Sequence, residues 1–139
     1  MGSFPFTIGE INITRINVGI DPSELPTKLL LAEHREIKRI PNTIKSGKAK
    51  IQGIPPKFTL GPGHVKFFYD KLKYLKIRYL QIYFECLSRN CNVQSYAESF
   101  EDIPAELFND YTVTNNDRQL LIERIESKGF SLLVPGEGP

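Results

Sequence analysis

The sequence predicts an all-α fold in one small domain, and three observations carry that prediction. Val65, Phe68, Leu72, Leu75, Tyr79, Ile82 and Cys86 step by three and four without interruption, the spacing that lines one face of a long helix. Two further segments, one from Thr27 and one from Asn116, carry the same period over shorter stretches. Strand signal is sparse by comparison.

The first helix is expected from Thr27, a candidate N-cap, with Leu30, Ile37 and Ile44 seven apart and Ile40 between them. Pro41 should end or kink it, because its ring collides with the preceding turn. The loop that follows, KSGKAKIQGIPPK, is basic and punctuated by Gly and Pro. Gly61, Pro62 and Gly63 mark the start of the second helix. On that helix Lys66, Lys71, Lys73, Lys76 and Arg78 lie off the apolar seam and are expected in solvent, while its Phe and Tyr residues are read as core. His64, opening the helix, is read as a capping or packing histidine. The stretch DIPAELFND suggests a short helical turn with Asp102 as cap and Pro104 early in it. A third helix is expected from Asn116 or Asp117 as N-cap, burying Leu121, Ile122 and Ile125 and stopping at Gly129. No internal repeat or low-complexity segment interrupts this order.

Composition narrows the function classes. With 139 residues, 40% hydrophobic and 24% charged, the chain is ordinary globular material. No apolar run approaches the roughly 20 residues of a membrane span, and no basic-then-apolar leader directs it to secretion. Cys86 and Cys91 are the only cysteines, with no nearby histidine to complete a zinc set, so two reduced thiols in a cytosol-like compartment are expected, with neither metal nor other cofactor. The net charge of +2 conceals a segregation: residues 27–89 carry fourteen bases and four acids, whereas residues 90–139 carry three bases and nine acids. A basic block of that size suits phosphate neutralisation, so double-stranded DNA is a candidate partner.

Four segments in order, TRIN at 14–17, AEHRE at 32–36, GHVKFFYDKL at 63–72 and DIPAELFNDY at 102–111, resemble the pyrimidine-dimer DNA glycosylases of the phage endonuclease V type. The resemblance runs from Thr14 to about Ile125 and implies a compact three-helix domain and a phage or large-virus relative. It also implies chemistry. In that family the chain begins at the threonine matching Thr14, whose free α-amine attacks the sugar C1′ at a cyclobutane dimer, and the glutamate matching Glu36 assists. Arginines matching Arg15, Arg35 and Arg39 hold the kinked backbone and the lesion. Lys28 and Lys66, from the basic block, are grouped with them as DNA contacts.

This chain departs from the pattern where it matters most. Thirteen residues precede Thr14, so its nitrogen is an amide, its lone pair is delocalised, and it can form no Schiff base. A Gln-His or Lys-His pair usual at the head of the first helix is Lys28-Leu29 here, and the family's basic, aromatic C-terminus is replaced by GFSLLVPGEGP. These departures favour a non-catalytic relative, used as a structural or binding component of a phage particle, of the capsid-surface or cement type. The alternative is a repair glycosylase and apurinic-site lyase released when proteolysis exposes Thr14. In the first case other phage structural proteins are the expected partners, and the expected location is the virion or host cytoplasm.

The flanking segments read as arms. Phe4, Phe6 and Ile8 alternate, then Ile11 and Ile13 alternate in the other register across Gly9, an apolar-sided extended pattern. At the other end Phe130, Leu132, Leu133 and Val134 are similarly apolar. Phe4, Phe6, Ile8, Ile11, Phe130 and Leu132 are therefore the candidate partner-docking residues. The expected organisation is an N-terminal arm at 1–13, a helical domain at 14–129 and a tail at 130–139.

Overall fold

The computed structural model describes residues 14–134, and among them there are helices and turns but no strand. The helices are α1 (Thr27–Glu36), α2 (Arg39–Lys45), α3 (His64–Phe67), α4 (Leu72–Ser88) and α5 (Asn115–Ser127), with 3-10 turns at Pro22–Glu24, Phe68–Asp70, Ala97–Phe100 and Ala105–Leu107. The all-α expectation holds. Phe4, Phe6, Ile8 and Ile11 lie outside the described residues.

Helix α1 packs on α4, and α4 also meets the 3-10 turns at Pro22–Glu24 and Ala97–Phe100. One apolar cluster joins Leu30 and Ile37 with Leu72, Leu75, Tyr79 and Ile82 of α4 and Leu121 and Ile125 of α5. Threaded among them is a segment without regular structure in which Ile16, Val18 and Ile20 are fully buried. Side chains hold that segment where a sheet would otherwise do so. Arg78 Nη1 donates to the Ile20 carbonyl at 2.8 Å, and Arg118 Nη1 donates to the Gly19 carbonyl at 2.8 Å. Gly19 sits at φ +81°, and a Cβ there would lie 2.9 Å from Arg118 Cβ, so both the turn and the close approach require glycine.

The structure corrects the local reading in five places, the simplest being Phe84, read as core but 62% exposed. The first helix divides at Ile37 and Lys38 rather than at Pro41, which falls in the first turn of α2; there a missing N–H is tolerated, and the backbone gives way one turn earlier. The long second helix is interrupted by the 3-10 turn at Phe68–Asp70 and by Lys71 at φ −128°, ψ 42°. Lys71 Nζ reaches back to the Phe67 carbonyl at 3.0 Å and lies 3.9 Å from the centre of the Phe67 ring. The break turns the face of α3, so His64, Phe67 and Phe68 are buried while Val65 is only half-buried. Caps also shift. Pro26, not Thr27, precedes α1, and Pro104, not Asp102, precedes the turn at Ala105–Leu107. Thr114 caps α5 in a box with Asp117, whose carboxylate accepts from the Thr114 N–H while Thr114 Oγ1 accepts from the Asp117 N–H. Last, Arg78 is buried rather than solvated, for a reason that belongs to the site.

Both cysteines are free thiols; Cys86 is buried, and desolvation pushes its pKa up to about 11. Phe130 and Leu132 are half-buried and pack on the main core, and the Leu133 N–H donates to the Glu24 carbonyl at 2.7 Å. Among the described residues of the tail, the exposed large apolar side chains are therefore Leu133 and Val134.

Candidate active site and nucleic-acid groove

Helix α1 presents two glutamates three residues apart, and packing gives them different surroundings. Glu33 is buried and saturated. It accepts from Asn17 Nδ2 at 2.7 Å, from Arg78 Nε at 2.6 Å and from Arg78 Nη2 at 3.0 Å. Burial by itself would lower the Arg78 pKa, but the adjacent Glu33 charge and its hydrogen bonds outweigh that and raise it. Arg78 is thus held charged inside the protein, and its pair with Glu33 bridges α1, α4 and the segment from Thr14 to Ile20.

Glu36 lies one turn further on. Its side chain is 17% exposed, and its ion-pair partner is Arg35 at 3.4 Å, a long contact with a side chain that is itself 58% exposed. Glu36, Arg15, Leu29 and Arg124 line a cavity of about 200 Å³, with Asn17 and Glu33 also in its wall. Burial pushes the Arg15 guanidinium below the usual arginine range, and the like charge of Arg124 adds to that while Glu36 opposes it. Arg124 is lowered by burial too, again against Glu36. Two partly desolvated guanidinium groups thus face one carboxylate. Among the described residues Arg15 Nε has no hydrogen-bond partner, although Arg15 Nη1 donates to the Thr14 carbonyl at 3.2 Å. Spare planar donors next to a carboxylate suit an incoming phosphate or sugar.

Arg15 also borders a second, wider groove of about 700 Å³ whose rim carries Lys48, Lys50, Lys66, His64 and Tyr69. Arg15 is the residue that lines both depressions. His64 lines the wider groove, its Nε2 accepting from the Ile16 N–H at 2.9 Å and its Nδ1 lying 2.8 Å from the Thr59 carbonyl. Burial, the largest influence, pushes the His64 pKa down to about 4.

The sequence-predicted residues are thus partly convergent. Thr14 is buried directly beside Arg15; Arg15 and Glu36 share the cavity, and Leu29 lines it at the place where the family pattern has histidine. Arg35 flanks Glu36, and Lys66 lines the wider groove. Arg39 is half-buried on α2, with Nη1 lacking a hydrogen-bond partner among the described residues. Lys28 is exposed near the start of α1 and lines neither depression. Arg124 and Asn17 were missed. Arg124 lies between Leu121 and Ile125, the buried apolar positions of α5, and its place on the edge of that face was the available signal.

The all-α domain thus carries a lysine-rimmed groove and, sharing Arg15 with it, a cavity lined by a carboxylate and two arginines. The model of one family, described as pyrimidine dimer DNA glycosylase, matches residues 13–99, rather more than half of the chain. The chain belongs to that family. The match opens one residue before Thr14 and takes in Arg15, Glu36 and His64, whereas Arg124 lies beyond it. Among the described residues no helix is long and apolar enough to cross a membrane, and no group of three or more His, Cys, Asp or Glu side chains could hold a metal ion.

Proposed function

We propose that the 139-residue chain binds damaged duplex DNA without cutting it, and that its glycosylase and apurinic-site lyase chemistry is latent until Thr14 becomes the first residue. The observation that carries this reading is the shared cavity of Arg15, Glu36 and Arg124 next to a Thr14 whose nitrogen is an amide. Once that nitrogen is an amine, with an ordinary pKa near ~8, it bonds to C1′ of the damaged nucleotide, the glycosidic C1′–N bond breaks, and the base leaves with a proton. The sugar ring opens to an imine, and loss of the 2′ proton expels the 3′ phosphate. Glu36 is the carboxylate placed for proton transfer at the sugar; Arg15, Arg124 and Arg35 hold phosphate, with Arg39 and Lys66 extending the contact.

Borohydride trapping tests this directly, because only an amine that has attacked C1′ is linked to DNA on reduction. The full chain is expected to trap abasic-site or ultraviolet-irradiated duplex at background level, and the same protein cut to begin at Thr14 is expected to trap it well above background. Strong trapping by the uncut chain would require a different nucleophile and would overturn the proposal.

A second reading, non-catalytic use as a capsid-surface or cement-type component of a phage particle, is favoured by Leu29 in the cavity wall and by exposed Ile77, Phe84 and Leu87 on α4. It expects the protein in purified particles by mass spectrometry, and a Thr14-first chain that stays silent. Its presence only in infected-cell extract would remove the virion assignment.

A further inference from the structure

Among the described residues, the hydrogen bonds that tie the segment carrying Thr14 and Arg15 to the rest of the protein all come from side chains, and the anchors are ordered along it. Arg118 and Arg78 fix the carbonyls of Gly19 and Ile20, Glu33 fixes the Asn17 side chain, and His64 fixes the Ile16 N–H. Of these side-chain anchors His64 is the one nearest to Thr14. Two residues of chain reach roughly 7 Å, so a loosened Ile16 would leave the Thr14 nitrogen and the Arg15 guanidinium free to move by more than a reacting distance.

The imidazole is suited to that task. A carbonyl can only accept, so Nδ1 must carry the proton toward Thr59, and Nε2 must be the bare acceptor for Ile16. Both ring nitrogens are used, and the tautomer is set by its partners. The ring is 2% exposed and packs edge-on against Phe58 and Phe68 at centroid distances of 5.4 and 5.5 Å. Gly63 at φ +94° brings the chain into α3, and a Cβ there would sit 3.1 Å from Pro55 Cγ. The charged groups facing the ring are Arg15, Arg124 and Glu33, with Lys48, Lys50 and Lys66 on the groove it shares.

We propose that neutral His64 is a positioning residue, which by accepting the Ile16 N–H fixes the Thr14 nitrogen and the Arg15 guanidinium at the Glu36 cavity. The catalytic half of this proposal rests on the function proposed above; the clamp itself does not.

Three measurements separate the two. Amide hydrogen exchange at Ile16 is followed in the full chain for wild type, His64→Gln and His64→Leu. Gln can offer a carbonyl oxygen to Ile16, whereas Leu cannot. Ile16 protection is expected to fall at least tenfold in His64→Leu beyond any change in global stability, and to be recovered in large part in His64→Gln. Ile16 protection in wild type, taken relative to the slower intrinsic exchange at low pH, should likewise fall when pH is lowered enough to protonate the ring, which keeps the test available if His64→Leu does not fold. In protein folded first and then cut to begin at Thr14, trapping of abasic duplex should slow by about tenfold in His64→Leu, with partial rescue in His64→Gln and duplex affinity within about threefold of wild type. Unchanged Ile16 exchange in His64→Leu, or equal losses in the Gln and Leu variants, would overturn the clamp. If wild type cut at Thr14 traps nothing, the proposed function fails, and the exchange arms still decide the clamp.

Discussion

The floor and the mouth of the cavity are built from the same residue types, and they differ in whether the charges are satisfied. On the floor, Glu33 and Arg78 meet at 2.6 Å with side chains 0% and 5% exposed, and Asn17 and the Ile20 carbonyl take up further bonding capacity. At the mouth, Glu36 has a 3.4 Å contact to Arg35, and Arg15 and Arg124 repel each other across it. A fully partnered buried pair has nothing left to offer a ligand and acts through the fold. An under-partnered carboxylate between two desolvated arginines has donors and an acceptor to spare, which makes it the place where a ligand can gain most.

The largest expected effect is on the floor. Arg78→Met removes both of its bonds to Glu33 and leaves a buried carboxylate with Asn17 alone, at a cost of about 3–5 kcal/mol in urea unfolding. Replacing both members, Glu33→Leu with Arg78→Met, should recover most of that loss. A single Arg78 substitution with no effect on the unfolding midpoint would place the floor and the mouth in one category.

Acid should act next, at the buried His64 of the wider groove. The folded pKa of His64, about 4 against an ordinary 6.5, is depressed by burial. The unfolded chain therefore takes up a proton first, so the stabilisation is fully present above 6.5 and declines as pH falls from there towards 4. By linkage the loss is on the order of 3 kcal/mol. His34, lowered mainly by burial and hydrogen-bonded to the Tyr79 hydroxyl, works in the same direction. Stability measured against pH should be flatter over that window in His64→Gln.

Gly19→Ala tests how tightly the threaded segment is held between the two regions. The left-handed backbone alone costs about 1–2 kcal/mol for an L residue, and the Arg118 Cβ at 2.9 Å adds to it. The urea midpoint reads this directly, and a neutral result would show that the segment can shift as a unit.

The smallest stability effects belong to the mouth. Arg124→Met and Glu36→Gln should each change unfolding free energy by no more than about 1 kcal/mol, the scale of partly solvated pairs. Their signature is on DNA instead. Arg124→Met should weaken duplex binding across sequences and reduce the salt slope by about 1, whereas Glu36→Gln in a Thr14-first chain should suppress base loss at dimers more than capture of a preformed abasic aldehyde. A large loss of stability from either would mean that the mouth is also a structural anchor.

How much of this was legible beforehand depended on the range of the interaction. Leu72, Leu75, Tyr79, Ile82 and Cys86 announce a buried helix face through their own spacing, and all five are buried; the period of a helix is a local property. The motifs around Thr14 and Glu36 were legible for the same reason, being short runs of neighbours whose order alone points to the family. Arg78 looked like another solvated base on that helix, because its position off the apolar seam says nothing of Glu33, which is 45 residues away in sequence. Leu29 and Arg124 likewise became walls of one cavity only because the fold brings residues of α1 and α5 to the same depression. Helical period and motif order therefore came from the sequence by itself, since each depends on near neighbours. Which of two glutamates on one helix is spent on the fold, and which is left free at a cavity mouth, was decided by side chains arriving from distant elements.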